Sequence, residues 1–444
     1  MSQRNFGTAL AEWSAAAGAM PEAARAEVRL AVLDTVGCIM AGWDEPQTVA
    51  ARKAAGQPVN APAKALILGT SAHALDFDDY EVPGSTHPSA PILGALLALA
   101  EAEPVSWGRL LDAYVVGYEA IVRLGEAVGY DHYEAGWHAT GTLGTLGAAA
   151  ASAKLLGLPA AGIAAALSLA TSMSAGLKLQ FGSDAKALHA GLAARAGIEA
   201  ARLAEAGASA SSAVFDGPYG FFYRYDGSKT RAIDEAVARI GRRLGLEQHP
   251  ILRKPWPSCA YSHRAIEAAL TISGATPGLS DAVDEVTLRI PEPFFRVAGF
   301  LRPSNSTEAR FSVVYCIAAA LIDGAITPAS FDPKAFTRPA VSALLDKIRV
   351  EAYDPGPGVE DMSPAHPDTV SVVLDDGRRL SHTTAEVAGG AARPMSLAQL
   401  KGKFTACGGT QALADTILGV DPAQPFQVAV TETGPRFPAL EPAA

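Results

Sequence analysis

Apolar residues recur at helical spacing through most of the chain. After Pro21, which suits a first helical turn, Val28, Val32, Val36 and Ile39 form one stripe and predict a helix over 21–40. Leu110, Leu111, Tyr114, Val115, Tyr118, Ile121 and Val122 repeat the pattern, as do an alanine-rich run opening at Pro159 and the segment 186–206. Short Gly, Pro and Asp punctuations separate the stripes, so residues 1–267 read as an all-helical domain. The period then changes. Val286, Leu288 and Ile290 alternate with polar residues and stop at Pro291, which predicts a strand. Asn305 with Glu308 makes a capping box for a helix over 306–323, and a second helix is expected over 333–347. Alternation returns at Ile348, Val350 and Ala352, and again at Val370, Val372 and Leu374 before an Asp376-Gly377 hairpin turn. Residues 268–393 therefore read as a smaller α+β domain with an antiparallel sheet. Helical spacing resumes over 396–403, where Ser396 and Gln399 form a capping box, and over 411–418. The tail, 394–444, is expected to pack back on the helical domain, giving a mainly α protein of two domains.

Composition narrows the function classes. At 444 residues and 49% apolar, the chain can bury enough surface to offset its conformational entropy, which excludes disorder as the main state. A formal net charge of -10 with no dense Lys/Arg run argues against nucleic acid and anionic membranes as partners. A small anion remains possible if a local cationic pocket holds it. Cys38, Cys259, Cys316 and Cys407 show neither CxxC pairs nor zinc-ribbon spacing and read as reduced thiols of a cytoplasmic protein. The N-terminal segment has no export signature. The uncharged stretch 157–177 reaches membrane-spanning length, but it consists mostly of Ala, Gly, Ser and Thr and reads as a helix buried among helices.

Three segments carry candidate chemistry. The first, HALDFDDYEVPGSTHP, sets His73, Asp76, Asp78, Asp79 and His87 close together in an apolar domain, where carboxylates and imidazoles perturb one another. A metal site or an acid–base site would use such a cluster, although EF-hand and HExxH spacings are missing. The second, GSDAKALHAG, makes Gly182 and Ser183 a loop and N-cap, with Lys186 in the first helical turn and His189 one turn on. A lysine beside free amides at a helix start suits a carboxylate ligand. The third, KPWPSCAYSH, places Lys254 and His263 around a stiff Pro-Trp-Pro turn at the domain boundary, where ligand clefts form. His138 precedes glycines 141, 144 and 147, which read as close helix packing because no strand leads into them. Tyr315 falls in the capped helix of the second domain. Neither a phosphate-binding GxxxxGK[ST] loop nor a GxSxG elbow is present.

Taken in order, DFDD with THP, then GSDAKALHAGLAARAG, then KPWPSCAYSH, resemble the MmgE/PrpD family, which includes 2-methylcitrate dehydratase, cis-aconitate decarboxylase and iminodisuccinate epimerase. The resemblance implies a large helical domain completed by the tail, an α+β lid domain, a homodimer, an active site between the domains, and no metal or organic cofactor. It also implies catalytic roles for Asp76, His87, His138, Lys186, His263 and Tyr315, with Gly182, Ser183, Lys186 and Lys254 around the substrate. The loop 80–85 departs from the decarboxylases, and Ser89-Ala90-Pro91 replaces the Asp-Asn pair of the dedicated dehydratases. The expected function is a cofactor-independent lyase on a small di- or tricarboxylate. An epimerase using the same site is the alternative, and an inactive helical scaffold the lesser one. In each reaction charge builds beside a carboxylate, so a base and fixed cations are required.

Overall fold

The computed structural model describes residues 5–56, 59–225, 230–276, 278–356, 361–426, 429–431 and 434–436. The ends of the expected helical domain, 1–4 and 437–444, lie outside them. The predicted helices form with small shifts of boundary, at Glu22–Gly42, Trp107–Val128, Ala160–Thr171 and Asp184–Glu205. Ala160–Thr171 ends well short of a membrane span, and among the described residues no helix is long and apolar enough to cross one.

Small residues set the helix packing. A Cβ on Gly191 would lie 2.2 Å from the Leu66 carbonyl, and one on Gly69 would lie 2.9 Å from Gly191 Cα. Helices Ala61–His73 and Asp184–Glu205 therefore touch backbone to backbone and run antiparallel, which brings the last turn of one, with His73, against the first turn of the other, with Lys186. The glycines of Ala139–Leu155 do similar work: Gly147 faces Ile121, and Gly144 faces Pro91. The tail helices Leu397–Ala406 and Gln411–Gly419 add Leu400, Phe404, Ala414 and Ile417 to this same apolar core. The expected Ser396/Gln399 capping box is complete.

A second core lies on a four-stranded sheet of β1 (Val283–Pro291), β2 (Ile348–Tyr353), β3 (Asp368–Leu374) and β4 (Arg379–Thr384), in the order β2-β1-β3-β4. The expectation of an antiparallel sheet needs correction. β1 pairs with β3, and β3 with β4, antiparallel, but β1 and β2 run parallel, Leu288 opposite Val350. The helical segment between them acts as a crossover and returns the chain in the same direction. Both lid helices expected as single pieces are broken. Ser306–Arg310 and Val313–Asp323 are separated at Phe311, and the Ser312 hydroxyl caps the second by accepting from Tyr315 N. Pro333–Phe336 and Pro339–Leu345 are separate because Pro339 forces Arg338 into an extended conformation.

Asp368 opens β3 with both carboxylate oxygens buried and lacking hydrogen-bond partners, and burial raises its pKa to about 8. A raised folded-state value favours the neutral form, so the residue destabilises the fold progressively as pH climbs from about 4 to 8. Asp368→Asn is expected to leave thermal stability near wild type at pH 4 and to raise it by several kcal/mol at pH 9, since each tenfold change in proton affinity is worth about 1.4 kcal/mol. Equal melting temperatures at pH 9 would contradict this.

Candidate active site

Helix Ala61–His73 ends at a carboxylate-rich loop in which Asp76 adopts φ 51°. Only three described non-glycine residues have positive φ, namely Asp76, Ser85 and Met362, and all three line one pocket. Left-handed backbone at side-chain-bearing residues is disfavoured, and its concentration here marks a site shaped against local preference.

Two lysines converge on Asp76. Lys186 Nζ and Lys254 Nζ each lie 2.8 Å from Oδ1, and Lys254 also donates to the Asp76 carbonyl at 2.8 Å. Burial alone would raise the Asp76 carboxyl, but the two ammonium groups outweigh it and hold the pKa well below the carboxylate range. Lys186 Nζ donates at 2.9 Å to His73 Nε2. The ammonium has only protons to offer, so Nε2 accepts and His73 carries its proton on Nδ1, which donates to Asp78 Oδ2 at 2.8 Å. The rings of Phe181 and Phe311 flank the Lys186 ammonium, at 5.5 and 5.1 Å. The helix break at Phe311 thus adjoins this site.

His87 is held more loosely. Its Nδ1 lies 3.3 Å from Asp78 Oδ1 and its Nε2 3.7 Å from Asp76 Oδ1, and neither Nδ1 nor Asp78 Oδ1 completes a hydrogen bond. Burial lowers its pKa to about 3, so the ring is neutral at physiological pH. His138 stacks on His73 at 5.6 Å; its Nδ1 meets His189 Nδ1 at 2.9 Å and its buried Nε2 has no partner. Burial holds it, too, in the neutral form.

These groups face one pocket that is partly open to solvent. Asp76, His87, His138 and Lys186 line it together with Tyr80, Ser85, Tyr133, Phe181, Cys259, Tyr261, Phe311 and Asp361. Its apolar walls, Tyr133, Phe181, Cys259, Tyr261 and Phe311, belong to or pack on the sheet-side core, and Ser85 Oγ and Tyr261 Oη donate to the two oxygens of Asp361 at 2.7 and 2.8 Å. Lys254 reaches the cluster but is fully buried and holds Asp76 from outside the lining. Gly182 and Ser183 are not among the lining residues; Ser183 donates to the Gln180 carbonyl at 2.8 Å. His263 packs edge-on to Trp256, with Nε2 3.2 Å from the Ser258 carbonyl, and stays outside the lining. Tyr315 lies apart: its hydroxyl donates to the Ser330 carbonyl and its ring packs among Phe331 and Phe336 in the second core.

Sequence reasoning did not foresee the walls made by Tyr133, Phe181, Cys259, Tyr261, Phe311 and Asp361, nor Lys403. That tail lysine is buried 2.7 Å from Asp34 and donates to the Phe77 carbonyl at 2.7 Å, fastening the acidic loop from behind. A buried-helix pattern interrupted by lysine was its only signal.

Potential ligand atoms of His73, Asp76, Asp78 and His87 lie within 4.8 Å of one another, a spacing open to a metal ion. The donor set does not fit one. Two ammonium groups already sit on Asp76 Oδ1, and both nitrogens of His73 are engaged, so a dication would have to displace bound cations.

The chain is thus a mainly helical scaffold in which a buried carboxylate, neutralised by two lysines, lies beside neutral imidazoles at one pocket. The chain belongs to the MmgE/PrpD family: residues 8–233 match the MmgE/PrpD N-terminal domain and residues 256–424 the C-terminal domain. Among curated relatives, a cis-aconitate decarboxylase of Mus musculus is 31% identical over 80% of this chain and 73% of its own length. Its Homo sapiens counterpart is 32% identical over 80% and 74%, and one from Aspergillus terreus 26% over 82% and 80%.

Proposed function

We propose that the protein is a lyase, independent of metal and organic cofactor, that decarboxylates an unsaturated tricarboxylate of the cis-aconitate type. The convergence of Lys186 and Lys254 on Asp76, beside neutral imidazoles, carries this reading. Lys186 faces the pocket and holds a substrate carboxylate. The C–C bond to a second carboxylate breaks, CO2 leaves, and the electron pair passes through the adjoining C=C bond, where the remaining carboxylates and the ammonium stabilise it. His87 or His138 protonates the far carbon. The assigned machinery is Asp76, His87, His138 and Lys186, with Lys254 and His263 positioning it. We assign 1–267 with 394–444 to one domain, 268–393 to the lid, and a homodimer to the assembly.

The test is incubation with cis-aconitate, 2-methylcitrate and iminodisuccinate in D2O, followed by proton NMR and CO2 release. A terminal methylene signal with CO2 supports the proposal. Dehydration, or deuterium exchange with inversion alone, would replace it with a dehydratase or an epimerase. Loss of turnover on EDTA treatment would overturn metal independence.

The electrostatics give a binding prediction. His87, His138 and His73 are all held below the usual histidine value, chiefly by burial, and a trianion beside them favours the imidazolium. Binding of the saturated analogue tricarballylate at pH 7 is expected to take up about one proton and to tighten roughly tenfold per pH unit on acidification. Calorimetry in buffers of differing ionisation enthalpy measures this, and zero uptake would contradict it.

A further inference from the structure

Decarboxylation consumes a proton at every turnover, because the carboxylate leaves as CO2 and its carbon ends as C–H. The imidazoles of the ligand-free pocket are neutral, so each proton spent must be supplied again from solvent. Lys186 is tied to His73 and Asp76, and His87 has no hydrogen-bonded chain behind it. His138 is different. The residue lines the pocket, its buried Nε2 is unpartnered, and its Nδ1 is in hydrogen-bond contact with His189 at 2.9 Å. His189 is not part of the pocket lining. It lines a second cavity, open to solvent, together with Gly141, Gly176, Leu192, Arg195 and Glu199, where Leu192 is 49% exposed and Arg195 and Glu199 pair at the surface. The histidine pair thus bridges two cavities that share no lining residue.

The surroundings fix this contact. His138 N donates to the Gly176 carbonyl at 3.0 Å, and a Cβ on Gly176, which has φ 138°, would stand 3.3 Å from His189 Nδ1. A Cβ on Gly141 would likewise stand 3.4 Å from the His189 Cβ. The groups facing His189 are His138, His73 and Lys186 on the pocket side and Arg195 and Glu199 on the other.

We propose that His189 is a proton relay that carries protons from water in the second cavity to His138. His138 Nε2–H protonates the substrate carbon. In the same step His189 Nδ1–H passes its proton to His138 Nδ1 and His189 Nε2 takes a proton from water, leaving hydroxide that combines with the released CO2 as bicarbonate. One proton moves from solvent to carbon, and both rings end neutral in the opposite tautomer; exchange with water resets them between turnovers.

This rests on the lyase reading, and the test separates the two. In His189→Ala, kcat is expected to fall by about 10²-fold with KM little changed. Added imidazoles should restore it, in proportion to their basicity, while pyrazole, similar in shape but weakly basic, should not. His189→Gln, which keeps bulk and polarity, should stay slow. Full turnover in either variant, or equal rescue by pyrazole, would overturn the relay. If the wild type turns over none of the acids, the lyase reading fails by itself, and the relay is then read from 15N histidine spectra. The His138 nitrogen shifts should follow the titration of His189 in wild type and lose that dependence in His189→Gln; unchanged spectra would overturn it.

Discussion

Asp76→Asn is expected to lower the stability of the fold by about 3–5 kcal/mol at neutral pH and to abolish measurable turnover. The substitution keeps the side-chain shape, and Asn tolerates the left-handed backbone that Asp76 adopts at φ 51°. Only the charge is lost. Lys186 and Lys254 would then share a neutral amide oxygen while remaining buried, and two uncompensated ammonium groups are far harder to bury than the triple they replace. The pH dependence follows from the depressed folded-state value. Stability conferred by Asp76 is present above the unfolded carboxylate range and is lost as pH falls through the folded value, so the gap between variant and wild type should be full at pH 7 and, narrowing only below about pH 4, be smaller at about pH 2. Thermal unfolding at both pH values measures this. An Asn variant as stable as wild type at pH 7 would show that the charge triple does not hold the loop.

Much of this arrangement was legible in the chain because its parts violate expectation locally. Asp76, Asp78 and His87 stand out as titratable groups within an apolar domain, and Lys186 as a cation at the wrong end of a helix. Those four do meet in space. The pocket walls were not legible, because Phe181, Phe311, Asp361 and the pair Cys259 and Tyr261 come from separate parts of the chain and are joined only by tertiary packing. Tyr315 shows the converse. A tyrosine on a helix of strong apolar pattern carries no local sign of where its hydroxyl points, and it points to the Ser330 carbonyl. Strand positions followed from alternation, whereas the parallel pairing of β1 with β2 depended on how the intervening segment crosses the sheet. Lys403 reaches the acidic loop from more than 300 residues away, a contact that periodicity cannot encode.

The two lysines look equivalent from their distances to Asp76, but their exposure separates their roles. Lys186 lines the pocket, whereas Lys254 is fully buried and spends its donors on the Asp76 carboxylate and carbonyl. Lys186→Met is therefore expected to reduce kcat/KM by about 10³-fold, the effect of removing one preorganised electrostatic contact to a developing anion. Its stability loss should be the smaller, because Lys254 continues to neutralise Asp76. Lys254→Met should show the opposite balance, with stability lower by about 3–5 kcal/mol and KM close to wild type at a temperature where the variant is folded. Steady-state kinetics alongside thermal unfolding of both variants distinguishes the roles. Lys254→Met with a large rise in KM, or Lys186→Met with normal turnover, would reverse the assignment and place the substrate carboxylate on the other cation.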